Sequence, residues 1–304
     1  MPNSWTHILF CEQIVDALEV PSSILSHQEF MKLGAQGPDP FFYYNFWPWV
    51  KEESVHEVGT ALHTRHCGAF LIDLITAAKH GDDNVRAYVF GFVTHHILDR
   101  NTHPYIHYRA GYEGSKHQKL ETRIDTVMME KYRNLQSWKV PVYKEIDVGK
   151  TLPKEISELL YSNIQEYYPT IADQKPGYIE KAYQDMRFAL KLLYDPNGWK
   201  NKLLSSFISS YSHQPIRDHT DYLNEQKTTW YHPATKEASD KSFIELYNEG
   251  LQEGREILME VIHFWHRQEE RMSSNLIEKI ADISYDTGLP LALQLENKYS
   301  DPIV

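Results

Sequence analysis

The sequence predicts an all-α protein, a multi-helix bundle, on three observations. Apolar residues recur at steps of three and four through most of the 304 residues. Alternating runs are almost absent, VPVYKEIDV at Val140 to Val148 being the one fair strand candidate. In THHILDRNTH and HQKLETRID, histidines and carboxylates stand four apart, a spacing that a helix turns into a common face.

The elements follow in chain order. Ile8, Leu9, Cys11, Ile14, Val15 and Leu18 mark a first amphipathic helix, which Pro21, Ser22 and Ser23 end. Gly34 to Val50 (GAQGPDPFFYYNFWPWV) breaks the period with two glycines and three prolines among seven aromatics, so a rigid aromatic loop is expected. From about Ser54 to Lys79 the spacing predicts one long helix, stopped by GDDN at Gly81 to Asn84. Val85 to about Thr102 is apolar nearly all round until it meets the histidines, and so belongs at the centre of the bundle, ending before Pro104. His117 to Tyr132 follows the Gly111 to Gly114 loop. Pro153 to Tyr168, Pro176 to Leu193, Trp199 to Tyr211, Ser242 to Arg271 and Asn275 to Tyr285 also carry helical periodicity, and polar residues from about His213 to Asp240 read as a long loop or lid. The expected organisation is a metal-binding helical core over 1–135, with 136–304 completing the same domain or forming a closely packed second lobe.

Bulk properties narrow the function. A formal charge of −11 disfavours a surface that grips long nucleic acid by neutralising phosphates. The start of the chain lacks a basic stretch, a long apolar run and a small-residue cleavage site, and no window reaches the ~18 consecutive apolar residues of a membrane span, so a cytoplasmic location is expected. Cys11 and Cys67 are too few and too far apart for a disulfide scaffold or a CxxC pair, and read as buried thiols.

The chemistry concentrates early: eleven of the sixteen histidines precede residue 120. His95, Asp99 and His103 share one helix face, as do His117, Glu121 and Asp125. Each pair alone has an ordinary reading as a helix-face hydrogen bond. Together, beside the apolar AYVFGFV, they would cost several kcal/mol to bury without a compensating cation. Imidazole with carboxylate suits zinc, with iron or manganese as alternatives. Asp39 between two prolines fits a turn cap as well as a ligand, and His7 fits the core as well as a ligand. His66 competes with His63, and His107 with His103. His96 lies about 100° around the helix from His95 and reads as packing, while Asp125 reads as a carboxylate that orients a ligand.

His7 opening the first helix, GAQGPDP at Gly34 to Pro40, Leu62-His63, GFVTHHILDRNTHPYI at Gly91 to Ile106 and HQKLETRID at His117 to Asp125 form an ordered series over about 130 residues. This series resembles the zinc-dependent phospholipase C family, which is related in fold to the S1/P1 nucleases. The resemblance implies a helical bundle of the phospholipase C / P1 nuclease type holding two or three zinc ions at its mouth. Asp39, His63, His95 and Asp99 would bind one ion, His103, His117 and Glu121 a second, and His7 with Asp99 a third. The secreted relatives complete the third site with the amino group and carbonyl of a terminal Trp; here Trp5 follows Met1-Pro2-Asn3-Ser4, so that pair is not expected.

The implied activity is phosphodiester hydrolysis by a metal-activated water, with Asp39 assisting proton transfer and a small phosphoester or phospholipid head group as substrate. An S1/P1-type nuclease or nucleotidase and a non-catalytic helical metalloprotein are the alternatives. Phe41, Phe42, Tyr43, Tyr44, Phe46, Trp47 and Trp49 could wall the site or pack the core. Trp230, Tyr231 and His232 could line the pocket or cap the helix region that follows.

Overall fold

The structure, a computed structural model, describes residues 4–47, 49–50, 54–171 and 176–304, with side chains except at 205–207. Met1, Pro2, Asn3 and Pro48 therefore lie outside the described residues. Among the described residues twelve α-helices run in chain order: α1 Ser4–Ala17, α2 Ser22–Leu25, α3 Gln28–Gly34, α4 Ser54–Thr64, α5 Cys67–Ala78, α6 Asp83–Ala110, α7 Lys116–Arg133, α8 Lys154–Tyr167, α9 Gly177–Leu193, α10 Trp199–Ile208, α11 Phe243–His266 and α12 Ser274–Ile280. The all-α class holds, since the only sheet among the described residues pairs β1 (Trp230–Tyr231) with β2 (Ala238–Ser239).

Helix α6 is the axis. Its stretch from Ala87 to Arg100 is buried on every side, and α1, α3, α5, α7 and α11 pack against the helix. The approach of α3 is backbone to backbone: a Cβ at Gly34 would lie 1.9 Å from the Tyr88 carbonyl, and one at Gly91 2.0 Å from that of Met31. This crossing carries the following segment onto the His95 face of α6. A 3-10 turn over Asp39–Tyr43 continues it, held between α4 and α9.

Several expected boundaries move. The single helix over Ser54 to Lys79 is two, α4 and α5, because His66 takes a left-handed conformation (φ 49°) at the junction. Helix α6 does not stop at Pro104 but continues to Ala110. Proline forfeits the bond to the Arg100 carbonyl, and that carbonyl faces Gly288, where a Cβ would come within 2.2 Å; packing thus outweighs the local penalty and brings the loop after α12 against α6. Val140 to Val148 is not a strand: Val142–Lys144 form a 3-10 turn, and no neighbouring edge is present to accept a strand there among the described residues. Helix α11 ends at His266, α10 at Ile208 and α12 at Ile280, which leaves Tyr285 in a loop.

The His213 to Asp240 stretch is a loop tied down at several points. Trp230 is buried, with its Nε1 donating to the Lys241 carbonyl, and the Asn224 amide donates to three carbonyls. A capping box between Ser242 and Glu245 then opens α11. No helix among the described residues is long and apolar enough to cross a membrane.

Candidate metal centre

Five elements of the N-terminal part bring the predicted ligands to one point. Helix α6 sets His95, Asp99 and His103 on successive turns of one face; α1 adds His7, the 3-10 turn adds Asp39, α4 adds His63, and α7 adds His117 and Glu121. Asp99 is the hub. Its Oδ1 lies 3.2 Å from His7 Nε2 and 3.2 Å from His103 Nε2, and its Oδ2 lies 2.9 Å from His95 Nε2 and 3.8 Å from His63 Nε2. His63 Nε2 is also 3.6 Å from Asp39 Oδ1, while Glu121 Oε1 is 3.0 Å from His117 Nε2 and 3.6 Å from His103 Nε2. Donor atoms 2.0–2.1 Å from a tetrahedral zinc stand about 3.3 Å apart, the middle of this range. Three groupings, His7/His95/Asp99, Asp39/His63/His95 and His103/His117/Glu121, each offer ligand atoms within 4.8 Å of one another.

The surrounding hydrogen bonds aim these atoms. His63 Nδ1 pairs with the Gly59 carbonyl at 2.7 Å and His95 Nδ1 with the Ala35 carbonyl at 3.0 Å, which leaves each Nε2 as an acceptor facing Asp99. Pairing one ring nitrogen with a carbonyl is how metal-binding imidazoles are usually held. Gly37 is required beside this ring, since its φ is +50° and a Cβ would sit 2.4 Å from two His95 ring atoms. His7 stacks on His95, ring centroids 4.1 Å apart.

The residues fit a metal on a second ground. Both oxygens of Asp99 and His95 Nε2, which face one another, are buried and make no hydrogen bond. Leaving such groups unpaired costs about 1–3 kcal/mol each, which cations between them would remove. Electrostatics agree: burial would raise the pKa of Asp99, but His103, His95 and His7 hold it well below the usual range. Glu121 is likewise held low against burial, with His117 and His103 contributing. Burial lowers His63 and, with His95, His7. Against burial, Asp99 raises His95, and Asp99, Asp286 and Glu121 raise His103 well above its ordinary value.

Three further residues singled out by the sequence stand outside the cluster. His66 points away from the cluster, its ring near Tyr167 and Tyr168. His96 packs on Tyr285 and pairs with the Ile283 carbonyl. Asp125 touches no ligand imidazole; its carboxylate accepts from the Trp5 and Thr6 backbone N–H groups and the Thr6 hydroxyl, and pairs with His213 Nε2 at 2.9 Å. It therefore anchors the start of α1, two residues before His7. Trp5 stands inside α1 with its N–H on Asp125, so that nitrogen is already occupied.

Sequence reasoning missed Asp286 and Tyr285. Asp286 Oδ1 lies 3.5 Å from His103 Nδ1 and 3.5 Å from His107 Nε2, and the Tyr285 ring packs 5.0 Å from His63. One aspartate in a C-terminal loop carries no spacing signal. The continuation of α6 past Pro104, which puts His107 on the same face, was the only available clue.

The cluster opens into a cavity of about 250 Å³ lined by His7, Asp39, Phe42, Thr60, His63, His103, His107, His117, Gln118, Glu121 and Asp286. Of the aromatic segment, Phe42 reaches it, with its ring 5.5 Å from His63; Phe41 and Tyr43 are core, and Phe46, Trp47 and Trp49 stack on one another. Trp230 does not line the cavity, and His232 pairs with the Thr287 carbonyl beside Asp286. A second cleft of equal volume, beside Cys11, Asp16, Lys32 and Arg133, holds no such ligand set.

No curated protein and no solved structure matches the chain. Residues 6–176, more than half of the chain and all the clustered residues except Asp286, match the zinc dependent phospholipase C family, to which this chain belongs.

Proposed function

We propose that the chain is a phospholipase C-like phosphodiester hydrolase with a di- or trinuclear zinc centre. The observation that carries this is the convergence on Asp99 of buried imidazole and carboxylate atoms that lack hydrogen bonds. Asp39, His63, His95 and Asp99 would hold one ion, His103, His117 and Glu121 a second, and His7 with Asp99 a third. Bound zinc supplies Lewis acidity toward phosphoryl oxygens and lowers the pKa of water. Residues 136–304 are read as completing the same domain, since α11 lies along α6 and α9 holds the Asp39 turn.

The protein's own groups divide the remaining work. Asp39 stands at the cavity wall, where its carboxylate can accept a proton from the attacking water. Phe42 offers an apolar face, and Thr60 and Gln118 offer hydrogen-bonding groups to a substrate head group. A cavity of about 250 Å³ suits a phosphoester head group with the rest of a lipid outside it.

The test is a substrate panel of phosphatidylcholine, bis-p-nitrophenyl phosphate and 3′-nucleotides with zinc-loaded protein. Release of a phosphorylated head group and diacylglycerol is the expected result. Turnover of nucleotides alone would move the reading to the S1/P1 type, and no turnover of any would leave a structural metal centre.

A further inference from the structure

On His103 and His107 three buried ring nitrogens remain unpaired after the eight ligand positions are assigned. His103 Nδ1 and both nitrogens of His107 make no hydrogen bond, although each is shielded from solvent. His103 Nδ1 and His107 Nε2 both face Asp286 Oδ1 at 3.5 Å. His103, His107 and Asp286 bring ligand atoms within 4.8 Å of one another, and the 3.5 Å edges match those expected around a tetrahedral ion, about 3.3 Å. The His117 ring is also close, 4.8 Å from that of His107 between centroids.

We propose that His103 Nδ1, His107 Nε2 and Asp286 form a further divalent-metal site at the mouth of the cavity, additional to the positions around Asp99 and Glu121. Two imidazoles and one carboxylate make a donor set suited to zinc. The Asp286 side chain is 31% exposed, so this ion meets solvent on one side, keeps open coordination positions and exchanges faster than those around buried Asp99. His103 stands between two metal positions, Nε2 toward Asp99 and Glu121 and Nδ1 toward Asp286; in serving both it releases its ring protons to solvent. Four carboxylates (Asp39, Asp99, Glu121 and Asp286) and the bridging His103 imidazolate carry a charge of −5, which two divalent ions reduce to −1. An ion beyond those two leaves the mouth positively charged, as an anionic phosphoester requires.

The experiment counts zinc on the whole chain. Stripped protein is reloaded with zinc alone, and bound metal is measured by elemental analysis and calorimetric titration in wild type, His107→Phe, Asp286→Asn and Glu121→Gln. Wild type is expected to take one equivalent more than either the His107 or the Asp286 variant, and that equivalent is the first lost to a weak chelator. Equal counts in wild type and both variants overturn the site. So does an unchanged count with tenfold weaker binding in Asp286→Asn, which makes Asp286 a group that orients His103. Should His107→Phe fail to fold, Asp286→Asn on its open loop gives the same reading. If Glu121→Gln loses metal while the other two variants match wild type, only this site falls; if wild type binds no zinc, the proposed function falls with it.

Discussion

Two neighbouring residues of α6 meet burial in opposite ways. Arg100 is buried like Asp99, yet each nitrogen of its guanidinium donates a hydrogen bond: Nε and Nη2 to Glu253, Nη1 to the Ile280 carbonyl and Nη2 also to that of Lys279. Asn101 adds a bond to the same glutamate. Asp99, one residue away and 1% exposed, has four imidazoles around it and no hydrogen bond to either oxygen. The difference separates a charge satisfied within the fold from one that suits a ligand. Around Arg100 the fold brings carbonyls and a carboxylate to close the account, whereas around Asp99 it brings only further electron-pair donors.

The largest expected effect comes from emptying or breaking the Asp99 side. Asp99→Asn keeps the shape but removes the charge shared by the proposed first and third ions, so zinc affinity should fall at least ~100-fold, more than loss of an outer partner does, and hydrolysis should cease. Chelation of the wild type should lower its stability by about 4 kcal/mol where zinc had stood at a thousand times its Kd. Elemental analysis and thermal melts check both, and full zinc content in Asp99→Asn would break the contrast with Arg100. His103 carries a raised pKa in the metal-free protein, so zinc binding near neutral pH should release protons. Its affinity should weaken as pH falls, which calorimetry in buffers of different ionisation enthalpy reads directly.

Arg100→Met tests the other side. It strands the Ile280 and Lys279 carbonyls and leaves Glu253, itself part-exposed, without its main partner, at a cost of about 2–4 kcal/mol. Denaturant unfolding should show this loss with zinc content unchanged. A loss of metal as well would mean that the two faces of α6 are coupled. Gly37→Ala is a smaller intrusion on the ligand side. The left-handed φ costs about 1–3 kcal/mol, and the methyl presses on the His95 ring, so weaker zinc binding should accompany the destabilisation.

The same contrast explains what could be read beforehand. The candidate ligands of α6 and α7 were legible because helical spacing is local, and four-residue steps in one sequence segment say that side chains share a face. The axis helix was legible from its continuous apolar run, although its passage through Pro104 was not, since the loop that covers the Arg100 carbonyl lies nearly 190 residues onward in sequence. For the same reason Asp286 carried no signal. Asp125 stood on the predicted face of α7, but its partners are backbone N–H groups of α1 and His213, which no periodicity reveals. Two-residue hairpin strands and the break at His66 depend on local backbone choices that apolar spacing does not encode.

The smallest expected effect lies where water can take over from a lost partner. Glu245 at the start of α11 accepts from the Ser242 backbone and side chain and pairs with Lys227, and these contacts hold its pKa down to about 2. A lowered carboxylate pKa means that the stabilisation is complete above the ordinary value of 4.5 and drains away as pH falls toward about 2. Glu245→Gln should therefore unfold slightly more easily than wild type near neutral pH, and the gap in melting temperature should close through that acid window. Because the carboxylate is open to solvent, salt should narrow the gap as well, while zinc content stays unchanged. A gap as large as that of Arg100→Met, or one insensitive to pH, would mean that exposure does not set the scale of these losses, and the reading of Asp99 as a charge awaiting a cation would lose its yardstick.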